Sequence, residues 1–442
     1  MPLMRRSRPK DRNFWLGVVN GILVNGGEAF LHSGLVLAPF LALLGAPSVL
    51  IGLVPTLRVG GSFLPQLLVA NRLSHEPLKM PYYNLTSGLR IGSLALLTAA
   101  AFFIGPERPG LTIAVLLVTV TVNAVAGGVA GVPFADVTAK VVPHGQLGTF
   151  WALRNSVGGV VALGAGWALR AILASDMPFP TNFGLVFLVG TLLCGAAYLV
   201  FSLVREPPGE AGVKRPLLRM FREIPGLLRQ DVNLRRFLRV RLLGLAALLA
   251  EPFYGVYALE RLAAPDSAMG LYVMVATVAS IVGNFAVRRP ANKGFNVTVL
   301  QVGFALGLLT PVLALLAGSW QLFSLVFVLS SVGNAAVGIA AWNLLYAIAP
   351  PGDRPLYIGL SNTVLALPSV APVVAGALLS VVGYRALFGV ALGLSLLTLA
   401  FSFRFAALRA ADQAALRAEI GADEQPPTEE HAQAAGAALT SD

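Results

Sequence analysis

The sequence predicts an all-α membrane protein: twelve transmembrane helices arranged as two parallel, pseudo-symmetric six-helix bundles. Three observations carry this. First, the 442-residue chain is 56% hydrophobic and only 12% charged, about half the charge of a soluble domain. Its apolar residues fall in solid runs near the ~20 residues that cross a hydrocarbon layer of ~30 Å. Solid runs, rather than period-two alternation, mean helices and not a barrel. Second, the net charge of +11 is not spread over one face, as nucleic-acid binding would require, but alternates from loop to loop. Third, the second half of the chain repeats phrases of the first, in the same order.

The longest echo is a polar turn between apolar runs. Pro143-His144-Gly145 is followed by Phe150, Leu153, Arg154 and Asn155; Pro350-Pro351-Gly352 is followed by Tyr357, Leu360, Ser361 and Asn362 at the same spacing. Ala46-Pro47 with Ile51-Gly52-Leu53 recurs as Ala264-Pro265 with Met269-Gly270-Leu271. Glu28-Ala29-Phe30 recurs as Glu251-Pro252-Phe253. Glycine and proline punctuate any membrane protein, so each pair alone is weak. Three pairs in one order point to a duplication, and parallel repeats are one architecture of secondary transporters.

Taken in order, residues 1–13 form a basic N-terminal segment with Arg5, Arg6, Arg8, Lys10 and Arg12. Span 1 (14–44) reads as a retained helix rather than a cleaved leader. It is too long, it carries Asn20, Asn25, Glu28 and His32, and no small-residue cleavage site follows a compact apolar core. Spans 2 to 6 are 47–72, 81–104, 110–142, 147–173 and 181–204, completing an N-terminal bundle over 14–204. A linker, 205–236, is crowded with arginines; Leu217, Leu218, Phe221, Ile224 and Leu228 share one face of it after Pro216. That pattern suits an amphipathic helix on anionic inner-leaflet lipids, with a solvated linker as the alternative. Spans 7 to 12 are 237–262, 265–287, 295–317, 320–348, 356–382 and 385–408, the C-terminal bundle 237–408. Residues 409–442 turn Ala-rich and then acidic and are expected to be a largely disordered tail.

Orientation follows from the loops. Arg72, Lys79, Lys140, the linker cluster, Arg288, Arg289, Lys293 and Arg354 fall on one side. The other side holds few basic residues: Arg108, Arg170, Arg261 and Arg385. The richer side is expected to be cytoplasmic, with both termini there and the protein in the cell's inner membrane.

The twelve spans, two parallel halves, basic central loop and cytoplasmic termini resemble the major facilitator superfamily of secondary transporters over roughly 14–408. The turns after spans 4 and 10 are similar to that family's Arg-Gly-rich entries into helices 5 and 11. Arg354 fits its arginine, while the first copy, Leu147-Gly148, keeps only the glycine. Between spans 2 and 3 the family's Gly-x-x-x-Asp-Arg-x-Gly-Arg string is reduced to Arg72 and Lys79 as its basic positions. Span 5 has Gly158, Gly159, Gly164 and Gly166 without the Gly-Pro of the drug exporters. No studied subfamily is matched.

Charged residues inside spans are expensive, about 2.5–3.5 kcal/mol on insertion scales, and therefore candidates for function. Glu28 lies mid-span with Asn25 and His32 on its face. Glu251 holds the matching place in the second half, with Tyr254 beside it and Pro252 to loosen the backbone. Either carboxylate suits proton exchange, and either suits a static pair with Arg58 of span 2. Arg58 equally suits an anionic substrate group. His32 is a relay candidate or a satisfied polar residue. Asn123 and Asn334 are amides that touch substrate or join helices. Arg90 of span 3 reads as packing or snorkelling. Asp136 and Arg154 flank the first repeated turn, as an inner gate latch or an ordinary interfacial pair; Arg354 is a third gate candidate.

The expected function is a secondary active transporter moving a small organic solute by alternating access, coupled to protons or another ion. An efflux permease or uncoupled facilitator is the nearer alternative. A non-transporting sensor or scaffold on a transporter fold is the other class. No enzyme, cofactor, metal or nucleic acid is expected, and a monomer is. The chain lacks a Gly-x-x-x-x-Gly-Lys-Ser/Thr string, and its one cysteine, Cys194, permits neither an intramolecular disulfide nor a Cys-x-x-Cys site.

Overall fold

The computed structural model describes residues 12–73, 76–143, 146–209, 226–350 and 354–405. Most of the amphipathic face expected within the linker, the tail expected to be disordered and parts of both repeated turns lie outside those residues.

All described elements are helical. Span 1 comprises α1 (Arg12–Phe30), a π-helical turn (Ser33–Leu37) and α2 (Ala38–Leu43). Spans 2 to 6 are α3 (Ser48–Leu73), α4 (Met80–Phe103), α5 (Pro109–Val141), α6 (Leu147–Leu173) and α7 (Thr181–Ser202). Span 7 is α8 (Val232–Ala247), a 3₁₀ turn (Leu248–Ala250) and α9 (Glu251–Arg261). Spans 8 to 10 are α10 (Ala268–Asn292), α11 (Asn296–Leu316) and α12 (Trp320–Ile348). The last pair is α13 (Arg354–Leu365), a 3₁₀ turn (Leu367–Val370) and α14 (Ala371–Ser402). Among the described residues ten segments are long and apolar enough to cross a membrane. The last of them turns back at Gly383, whose φ of 76° suits glycine, and so crosses twice. With α3, these make twelve crossings.

Spans 1, 7 and 11, read as continuous helices from their apolar length, are each broken near mid-membrane. Proline chemistry explains the breaks of spans 7 and 11. Pro252 has no N–H and its ring crowds the carbonyl four residues back, which is that of Leu248. The ladder tightens there, and Glu251 N–H bonds Leu248 O in 3₁₀ fashion. Pro368 and Pro372 flank the break of span 11, where Ala371 N–H bonds Pro368 O. In span 1 the break precedes Pro39, and Ala38 N–H reaches back to Ser33 O.

The two bundles meet at the end of the molecule remote from the termini. Here the echoed glycines find their reason. A Cβ on Gly52 would lie 2.0 Å from Pro372 O, and one on Gly270 would lie 2.4 Å from Arg170 N. Each is the second helix of one bundle pressed backbone-to-backbone on the fifth helix of the other. Thr56 Oγ1 adds a 2.6 Å bond to Ser369 O across the first seam. At mid-height the broken helices cross: a Cβ on Gly255 would meet Gly34 O at 2.6 Å.

The buried apolar core has the same forked form. At the remote end one cluster unites both bundles, from Phe40, Phe183 and Phe187 to Tyr272, Phe323 and Phe388. Toward the termini it divides. Phe14, Tyr83, Phe150 and Phe201 belong to the N-terminal bundle alone. Leu234, Phe237, Leu344 and Tyr357 belong to the C-terminal bundle alone. A cleft open toward the termini separates the two prongs.

Valine at position 52 or 270 cannot fit these seams. G52V and G270V are expected to shift the protein toward opening at the remote end. Labelling of a Ser369→Cys variant by a thiol reagent should then rise severalfold, and unchanged labelling in both would contradict the seam.

Candidate functional site

The cleft between the bundles has a volume of about 470 Å³. Span 1 lines it with Asn25, Glu28 and His32, and α6 lines it with Asn155. From the other bundle come Thr277, Ser280 and Asn284 of α10 and Ser331 of α12. The α10 residues were passed over in the sequence. Their signal is legible, since spacings of three and four residues place them on one helical face.

Glu28 is not free. Its carboxylate accepts a hydrogen bond from Arg58 Nη2 as part of an ion pair. The second arm of the guanidinium, Nη1, donates to Leu31 O at 2.7 Å and to Ser33 Oγ at 3.0 Å. Arg58 thus clasps the break of span 1, satisfying a carbonyl that has lost its helical partner. His32 caps the turn that follows: its Nδ1 accepts from the N–H groups of Gly34 at 3.3 Å and Leu35 at 3.2 Å. With that lone pair engaged, the ring proton sits on Nε2. Asn25 donates to Gly21 O at 2.8 Å and packs where a Cβ of Gly158 would stand. Asn123 lines a small recess with Glu28 and Arg58, its Nδ2 lying 3.5 Å from both Arg90 O and Ser93 Oγ. Arg90 itself stacks on the Tyr198 ring at 4.0 Å.

Glu251 differs from its repeat partner. Six residues after Gly52 stands Arg58; six residues after Gly270 stands Ala276, on the cleft wall. The C-terminal half therefore lacks the arginine at the matching register. No ion pair to Glu251 occurs among the described residues. Its side chain lines a separate cavity of about 240 Å³ inside the C-terminal bundle, together with Tyr254 and Asn334. Tyr254 is buried in an aromatic group with Phe323 and Phe388, at ring distances of 6.1 and 5.4 Å. Asn334 Nδ2 lies 3.5 Å from Ser330 Oγ.

Asp136 and Arg154 are not brought together. Asp136 pairs with Lys79 at 2.6 Å and Lys140 at 2.8 Å. Glu206 joins them, pairing with Lys140 at 2.8 Å and accepting the N–H groups of Lys79 and Met80. This network ties α5 to the segments before α4 and after α7, all within one bundle. Arg154 donates to Asn20 Oδ1 at 2.8 Å and Gly17 O at 3.0 Å and stacks on Phe134. Arg354 opens α13; its side chain lies outside the described residues.

An arrangement of two six-helix bundles is shared with solved transporters. A variant of the nucleoside transporter NupG superposes with a TM-score of 0.69 at 12% identity, covering 89% of this chain and 99% of that one. A POT family transporter in complex with 5-aminolevulinic acid gives 0.69 at 11%, covering 89% and 97%. A D-xylose-proton symporter gives 0.65 at 14%, covering 90% and 98%. The chain has the major facilitator fold. No family model matches the sequence, and no curated protein does. Within the major facilitator fold, then, this chain keeps the architecture while its side chains must be read from their own geometry.

That geometry predicts unequal responses of the two carboxylates. Glu28 and Arg58 are 34% and 28% exposed, between a surface pair and a buried one. Removing one partner costs ~3–5 kcal/mol for a buried pair, while an exposed pair is worth ~0.2–1 kcal/mol. E28Q should therefore lose about 1–3 kcal/mol of stability by this bracketing. E251Q, which breaks no pair, should melt with the wild type. Thermal unfolding of the purified variants checks the order, and equal melting of E28Q and wild type would contradict a structural role for the pair.

Proposed function

We propose that this protein is a secondary active transporter that carries a small polar organic solute by alternating access, coupled to protons. The observation that carries the reading is the forked core: a polar cleft reaches mid-membrane from one side only, and the opposite side is sealed by glycine contacts at pseudo-symmetric positions. Rocking of two similar bundles about the crossing of spans 1 and 7 would exchange the sealed and open sides. The basic loops on the termini side support a cytoplasmic assignment for that side, so the conformation is inward-facing. The membrane is then the cell's inner membrane.

The proton role is assigned to Glu251. Glu28 is held by Arg58 and a helix break, so deprotonation and reprotonation there would disturb the clasp in every cycle. Glu251 has no such partner and lies at the equivalent depth. E251Q should still exchange solute across the membrane but fail to accumulate it against a gradient.

Proteoliposomes loaded with a pH-sensitive dye test the reading. The solutes of the structural neighbours provide a first panel: a nucleoside, D-xylose and 5-aminolevulinic acid. Solute movement with a matching proton flux, lost uphill in E251Q, is expected. Movement without proton flux would favour an uncoupled facilitator, and no movement for any solute would favour a sensor or scaffold. For orientation, a Ser280→Cys variant should react with an impermeant maleimide only from the termini side. Reaction from the other side alone would reverse the assignment.

A further inference from the structure

The cavity inside the C-terminal bundle shares no lining residue with the cleft. It is walled by spans 7, 9, 10 and 12, and it carries a charge at each end of its span 7 wall. Arg241 stands toward the termini and Glu251 near mid-membrane. Arg241 falls inside span 7 as the sequence bounds it, and its place in α8, between Val240 and Leu242, puts it in the cavity wall. Its Nε is buried and has no hydrogen-bond partner. No ion pair to Glu251 or to Arg241 occurs among the described residues.

The two cannot satisfy one another directly. Ten residues separate them along span 7, a rise of ~15 Å in helical geometry. Helical side chains tilt toward the N-terminus, so both lean the same way and tilt does not close the distance between the charges. The gap that remains is wider than the spacing of opposite charges in an α-amino acid. Between the ends, Thr310, Ser330, Asn334 and Ser395 supply polar atoms along the wall. An apolar packing void has no reason to hold a cation at one end and an anion at the other, each without a partner.

We propose that this cavity binds a small, elongated zwitterion, its anionic group on Arg241 and its cationic group on Glu251. The inference rests on the reading of Glu251 as an exchangeable carboxylate, and it adds a binding site apart from the cleft. The ligand's ammonium takes the place of the proton on Glu251, and that proton passes to water. Arg241 keeps its charge throughout and accepts the carboxylate by hydrogen bonds from its guanidinium. The hydroxyl and amide wall orients the chain between the charges.

The test is direct binding to the purified full-length protein in detergent, with no gradient. Isothermal titration uses glycine, 3-aminopropanoate, 5-aminopentanoate and 6-aminohexanoate, with pentanoate and pentylamine as singly charged controls. Binding is expected for the longer zwitterions, with affinity at least about tenfold weaker for glycine and for both controls. E251Q and R241Q should each lose about tenfold or more, and R241K, which keeps the charge, should lose less. Melting temperatures establish that each variant is folded; if R241Q is not, R241K and E251Q still decide. No binding of any zwitterion below about 10 mM, or equal binding by wild type and E251Q, overturns the proposal. Because binding is read without transport, the two readings separate. Zwitterion binding with no solute movement in proteoliposomes sinks the transporter and leaves the site. Proton-coupled movement of other solutes, with no zwitterion bound, does the reverse.

Discussion

A helix interrupted inside a bilayer must find new partners for the backbone groups it frees, because lipid supplies none. Much of this molecule depends on how that demand is met. Span 1 breaks after Phe30, and Arg58 answers for the Leu31 carbonyl while His32 answers for two N–H groups beyond it. Span 7 breaks at Pro252, and a 3₁₀ turn absorbs the loss within the chain. The same kind of defect is thus repaired by a charge in one bundle and by backbone alone in the other. That difference leaves one carboxylate engaged and its repeat partner free.

The repair also couples depth to position. Gly34, just past the first break, lies against the backbone of Glu251 and Pro252. Two of the three interruptions of the helical ladder therefore touch across the bundle interface. Under the proposed alternating access, a pivot placed there would let small backbone adjustments on both sides accompany a rotation of whole bundles, without straining the intact helices around them.

The architecture was legible because lipid leaves few choices. Solid apolar runs, alternating loop charge and an ordered repeat carried the twelve crossings, and the superposition on solved transporters agrees. The corner at Gly383 falls where the sequence left a two-residue gap between spans. The helix breaks were less legible, since apolar length does not report where a ladder tightens; only Pro252 was read for it. Site residues were legible as types and not as pairs. Glu28, Glu251 and Arg58 stood out as charges in apolar runs, yet which carboxylate the arginine takes depends on how helices pack. Arg241 lay inside span 7 but was passed over as a site residue, because it continues a run of arginines from the linker. Asp136 and Arg154 were read as neighbours from their place around one turn, but each faces a different part of its own bundle.

The seam that closes the remote end is made of apolar side chains, glycine contacts and one hydroxyl bond. Among the described residues no ion pair crosses it. Its strength is therefore a matter of surface removed from its surroundings and of close packing, not of long-range charge. Added salt would screen nothing there. What does act on such a seam is volume: bundles pressed together through glycines give up contact steeply with separation. Lateral pressure from the surrounding lipid, which changes with acyl-chain packing, would then bear directly on how tightly this end is held.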